Sequence, residues 1–189
     1  MATGMSRRAR WAGAIALAAL VAGSLGCADS GATAAEPVVE VREDGTKVRY
    51  EKVKIRETTY KLEVADDPAK RLKGLSGRAA IPKTGGMIFV FKRPALQQFV
   101  MRDCLVDIDI IFVDRAGRIT DLHAMKVEPP QGEDETDAQY ERRLKRYSSR
   151  FPAQVVIELK GGTLAKLDPP LKRGDKLEVD VRRLGLTAK

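Results

Sequence analysis

Residues 108–113, Ile-Asp-Ile-Ile-Phe-Val, constrain the fold more than any other stretch. A run this short and this rich in β-branched side chains reads as a central strand of a sheet. Asp109 sits inside it. A carboxylate there costs several kcal/mol unless a cation, backbone N–H groups or water compensates it, so the fold must supply Asp109 with a partner or an opening. Asp103, Cys104 and Asp107 come just before the run, and the only histidine, His123, lies ten residues after it. Residues 98–125 therefore hold most of the candidate chemistry.

A chain of 189 residues, 43% hydrophobic and 32% charged, suits one domain large enough to bury a core. Aromatic residues are only 5%, so that core must be largely aliphatic. The formal charge is +8, and it falls to +5 once Arg7, Arg8 and Arg10 are set aside with the leader. This excess is dispersed and has no interleaved aromatic stripe, which argues against nucleic acid as a partner.

A basic stretch, Ser6-Arg7-Arg8-Ala9-Arg10, precedes an apolar segment at 11–25 that is too short to span a bilayer and is flanked as an export signal is. Residues 1–26 are expected to be a signal peptide. They end in Gly23-Ser24-Leu25-Gly26-Cys27, which resembles the lipobox of bacterial lipoproteins, in which the cysteine becomes the lipidated N-terminus. Ser24 departs from that pattern, which prefers leucine, and ordinary cleavage near Ala34-Ala35 is the alternative. Residues 28–37 are small, polar and aperiodic, as a flexible tether is. The expected location is the cell envelope, facing the periplasm on a lipid anchor. With Ala28 after the cysteine, the resemblance implies the outer membrane in a two-membraned bacterium.

Residues 38–189 are expected to form one β-rich domain. Alternation at Val39/Val41 and Val48/Tyr50 around Asp44-Gly45 predicts a hairpin, and 59–64 predicts a further strand. Asp66-Asp67-Pro68 opens a short helix with Leu72 and Leu75 on its apolar side and Gly74 or Gly77 as its stop. Gly85-Gly86 leads into a strand buried on both faces at 87–91. Strands are predicted at 96–101, 107–113, 119–125, 155–159 and 176–181. Thr136 to Gln139 matches a capping box, with Tyr140, Leu144 and Tyr147 at helical spacing behind it. The fold class is mostly β, at the margin of α+β: a barrel or sandwich of about eight strands with one or two short helices.

Six segments taken together carry a family resemblance: Leu62 to Asp66, Arg71 to Leu75, Gly86 to Phe91, Phe99 to Cys104, Ile108 to Phe112, and Ile157-Glu158-Leu159 with Gly161. In order and spacing they resemble the bacterial and archaeal family called domain of unknown function 192, over about residues 60–181. The family pattern has tryptophan, lysine and asparagine where this chain has Val100, Arg102 and Asp103, and proline where it has Asp107. The resemblance implies a compact, mostly β fold with a short helix and no settled activity.

Several chemistries fit the central residues. Cys104 and His123 on neighbouring strands could form a nucleophile and its base. Asp107, Asp109 and His123 could bind a metal, calcium included, although no HxH, CxxC or HExxH spacing supports it. Asp107 and Asp109, two apart on a strand, would share a face, with Cα atoms about 6.5–7 Å apart, as two acids of a glycoside hydrolase could. The preferred reading is structural: Asp109 accepts backbone N–H groups or pairs with Arg78 or Arg102, and Met101, Arg102 and Asp103 organise the fold or a binding surface around it. Cys104 is expected to be a buried, unreactive thiol. No cofactor is expected. The function expected is an envelope binding or structural module, its ligand a small molecule or an envelope protein, with a hydrolase or metal-dependent enzyme at Asp107, Asp109 and His123 as the alternative.

Overall fold

The computed structural model describes residues 38–41 and 45–189. The expected signal peptide, Cys27 and tether lie outside them, as does Asp44 of the first hairpin. In chain order the strands are β1 (Val38–Val41), β2 (Lys47–Ile55), β3 (Thr58–Ala65), β4 (Gly85–Ala95), β5 (Gln98–Phe99), β6 (Ile108–Val113), β7 (Ile119–Met125), β8 (Tyr147–Ser148) and β9 (Ala153–Lys160). The helices are α1 (Pro68–Lys73), α2 (Asp137–Arg143) and α3 (Val181–Thr187), with one 3-10 turn at Leu164–Lys166.

Seven strands make one sheet, ordered β1-β2-β3-β4-β9-β6-β7, while β5 and β8 pair separately. All neighbours in the large sheet are antiparallel except β3 and β4. A parallel pair needs a crossover, and residues 66–84 supply it with α1 inside. The sheet is open at β1 and β7, so the barrel alternative gives way to the layered one.

Both faces of the sheet are covered. On one, Val53, Leu62, Ile88, Ile111, Ile157 and their neighbours pack under the C-terminal segment, through Leu171, Leu177, Val181 and Leu184. On the other, Met87, Phe89, Ile108, Ile110, Phe112 and Val156 lie beneath Leu75, Ile81, Met101, Cys104 and Tyr147. Full burial of one such side chain contributes about 1.5–3 kcal/mol, so two apolar layers outweigh an isolated carboxylate placed between them. β9 occupies the middle of this sandwich, and every residue from Ala153 to Leu159 is buried.

Local chemistry explains the departures from expectation. The stretch 96–101 pairs only at β5, against β8. Where a strand is predicted at 176–181 there are two isolated bridges, and Asp180 then caps α3 by accepting from the Arg183 N–H at 2.9 Å. Val181, Leu184 and Ala188 bury at helical spacing, which overrides the alternation before them. α2 carries the predicted capping box but stops at Arg143, so Tyr147 reaches the core from β8. α1 has Asp67 as its cap and ends at Gly74, whose φ of 49° favours glycine. Leu72, expected on the apolar side of α1, is exposed, and Leu75 just beyond the helix is buried instead.

Candidate functional site

The residues singled out from the sequence do not meet in one place. His123 lies opposite Ile110, on the face that buries Phe112 and Tyr147; its ring stands 6.0 Å and 5.7 Å from theirs, and its Nε2 is 3.1 Å from the Ser148 carbonyl. Asp109 points to the other face, where its carboxylate accepts the Leu164 N–H at 2.6 Å. Asp107 precedes β6 and accepts from Lys126 Nζ at 2.7 Å and the Val127 N–H at 3.0 Å. Those two bonds, with Lys126 first, hold the Asp107 carboxyl below its ordinary range. Asp107 and Asp109 therefore serve different partners, and His123 is across the sheet from Asp109. Among the described residues no group of three His, Cys, Asp or Glu side chains could hold a metal ion.

The preferred partner for Asp109 is half met: it takes a backbone N–H, but neither arginine. Arg78 makes a two-pronged pair with Glu63, at 2.5 and 2.7 Å, and Arg102 pairs with Glu141. Met101 is core. Asp103 is a joint: at a φ of 52° its N–H donates to Tyr140 Oη at 3.0 Å, its carboxylate accepts the Tyr140 hydroxyl at 3.1 Å, and its carbonyl accepts the Gly77 N–H at 2.8 Å. It thereby ties α2 and the segment after α1 to the loop before β6.

Cys104 and His123 share no hydrogen bond; the thiol points at the Arg102 carbonyl, 3.5 Å away. Burial first, then the charges of Glu158 and Asp103, push this thiol up to about 12. It is neutral at physiological pH and hydrogen-bonds to no base among the described residues, so it is not an activated nucleophile.

The structure instead assembles a cleft of about 380 Å³ where α1, β4, the loop around β5 and Cys104 converge. Phe89 and Phe99 form one wall edge to face, with ring centroids 5.0 Å apart. Arg71 closes one side by donating to the Val90 carbonyl at 3.0 Å and lying over Phe91. Lys73 and Arg102 complete a cationic rim, and Cys104 and Glu158 also line the cleft.

Glu158 is the residue that sequence reasoning missed. It projects from the central strand β9 between Met87 and Ile110, its register partners on either side. Only 5% of it is exposed, and among the described residues no donor hydrogen-bonds its carboxyl. Desolvation pushes it up to about 8, against a smaller opposing pull from Arg78, whose charge is already committed to Glu63. At neutral pH it is a protonated acid, able to donate. Gly86 lets β4 come this close: a Cβ there would stand 2.1 Å from the Glu158 carbonyl. The signal was available in Val155-Val156-Ile157-Glu158-Leu159, where a carboxylate interrupts an apolar strand as Asp109 does.

A family model, DUF192, described as an uncharacterized ACR, matches residues 51–179, well over half of the chain. The chain belongs to the DUF192 family. The Glu158 cleft lies within the matched region. A crystal structure of a protein of unknown function from Novosphingobium aromaticivorans DSM 12444 is similar to this DUF192 protein, at 29% identity and a TM-score of 0.57, over 82% of this chain and 100% of that one. Another, of a candidate transcription regulator from Sinorhizobium meliloti 1021, is similar at 26% identity and a TM-score of 0.52, over 70% of this chain and 93% of that one. No curated protein matches.

Proposed function

We propose that this DUF192 protein is an exported, lipid-anchored envelope protein whose folded domain is a binding module, with the Glu158 cleft as its ligand site. One observation carries the binding half: a carboxyl, 5% exposed and without a donor among the described residues, lines an open cleft walled by aromatic rings. Ligand sites combine an apolar lining with a few polar groups left to orient what enters, whereas a purely structural carboxyl is satisfied by its own protein. Asp109 is such a structural group. The hydrolase or metal alternative at Asp107, Asp109 and His123 lacks a shared site, because the sheet separates His123 from Asp109 and the two aspartates serve different partners. The export half is supported by the leader and the Cys27 pattern.

Two experiments test the halves separately. Cys27→Ser should move the protein from the membrane fraction to the soluble envelope fraction, and unchanged partitioning would refute the anchor. A small-fragment screen by protein-observed NMR should perturb amides around Phe89, Phe99 and Glu158. A screen in which nothing perturbs the cleft would refute the binding module.

A further inference from the structure

Resting on that reading, we propose that the cleft takes a small organic carboxylate on a flat apolar body, with the Glu158 carboxyl donating a hydrogen bond to the ligand's anionic oxygen. Three features of the cleft converge on this chemistry. The rim carries Arg71, Lys73 and Arg102; Arg102 pairs with the Glu141 carboxylate, and Arg71 donates to the main-chain oxygens of Val90 and Lys189, each at 3.0 Å. Lys73 has no acceptor among the described residues. The field at the mouth is therefore positive and draws in anions. On the wall, half-buried Phe99, backed edge to face by buried Phe89, offers an apolar surface for a planar body, and Phe91 carries the Arg71 guanidinium over its ring.

The floor decides the sign of the ligand. An ionised Glu158 would repel an anion and invite a cation, but this carboxyl stands among apolar neighbours with no donor to hold its charge. Met87 and Ile110 flank it on β4 and β6; Cys104, itself neutral, lies near it with Asp103 beyond; Arg78 from the segment after α1 is neutralised by Glu63 on β3; Arg71 and Lys73 stand at the rim on α1. The carboxyl accordingly keeps its proton, and its free O–H lacks an acceptor until a ligand supplies one. A carboxylate acceptor gives the short, charge-assisted form of that bond, stronger than a neutral acceptor could give.

The test uses three probes of one shape and different charge: benzoate, benzyl alcohol and benzylamine, titrated into the protein at pH 7 and pH 9 with amide shifts as the readout. Benzoate should bind in the cleft most tightly at pH 7 and about tenfold more weakly at pH 9, as Glu158 passes through its value of about 8. Glu158→Gln keeps a donor, so it should bind benzoate with that pH dependence gone, and Glu158→Ala should lose most of the affinity. Cleft binding by benzylamine or benzyl alcohol in preference to benzoate would overturn the anion assignment and leave the binding module standing. So would benzoate affinity that ignores both pH and Glu158→Ala. If no probe perturbs the cleft at either pH, the binding reading and the ligand class fall together.

Discussion

Replacing Glu158 by Gln should improve stability relative to the parent progressively as pH rises. The folded carboxyl is raised to about 8 from an ordinary 4.5, so between those values the native state holds a proton that the unfolded state has released. Stability therefore falls as pH rises, by about 1.4 kcal/mol per unit, and levels off above about 8. From pH 5 to pH 7 the native protein should lose about 2–3 kcal/mol through this one group. Glutamine cannot titrate and escapes that loss. Any fixed cost or gain of burying the amide cancels when the same variant is compared with the parent at two pH values, as do the other titrating groups. The advantage of Glu158→Gln over the parent should thus be larger at pH 7 than at pH 5 by about 2–3 kcal/mol, on the order of 5–10 °C in melting temperature for a domain of this size. Thermal and urea unfolding at the two pH values measure it. An offset between variant and parent that is the same at both would refute the reasoning, because it would mean that Glu158 ionises near its ordinary value within the fold.

Asp109→Ala removes the acceptor of the Leu164 N–H and should cost about 1–3 kcal/mol by urea unfolding, less than loss of a buried ion pair, because no arginine is tied to it. Asp107→Asn should cost under about 1 kcal/mol, since its partner Lys126 is exposed; the contribution, from a lowered carboxyl, is present above pH 4 and fades as pH falls below that, and a larger loss at pH 7 would contradict the account. Cys104 in the native protein should react with an aromatic disulfide reagent at pH 8 far more slowly than in urea, and equal rates would place the thiol at the surface.

Much of this fold is legible in the chain because its strands are marked locally. The runs 87–91 and 108–113, the Asp67-Pro68 helix start and the Thr136 capping box each depend on neighbours a few residues away, and each appears where the residues place it. The C-terminal segment is less legible. Alternation through Leu177, Val179 and Val181 competes with helical spacing through Val181, Leu184 and Ala188, and packing on β4 and β9 decides for the helix. The site was hardest to read for a different reason. Which face a carboxylate takes depends on register: Asp109 and Glu158 both interrupt apolar strands, yet one meets a backbone N–H under the C-terminal cover and the other meets a cleft. Nothing local distinguishes them. Arg78 shows the same limit, since its partner Glu63 belongs to a strand that only the parallel pairing of β3 and β4 brings near.

The most direct measurement is the titration of Glu158 itself, followed by its side-chain carboxyl carbon in ¹³C-labelled protein and assigned with Glu158→Gln. The carboxyl should stay protonated through neutral pH and titrate near 8, with added benzoate at saturating concentration moving the midpoint higher still. A midpoint near 4.5, unmoved by the ligand, would contradict the account.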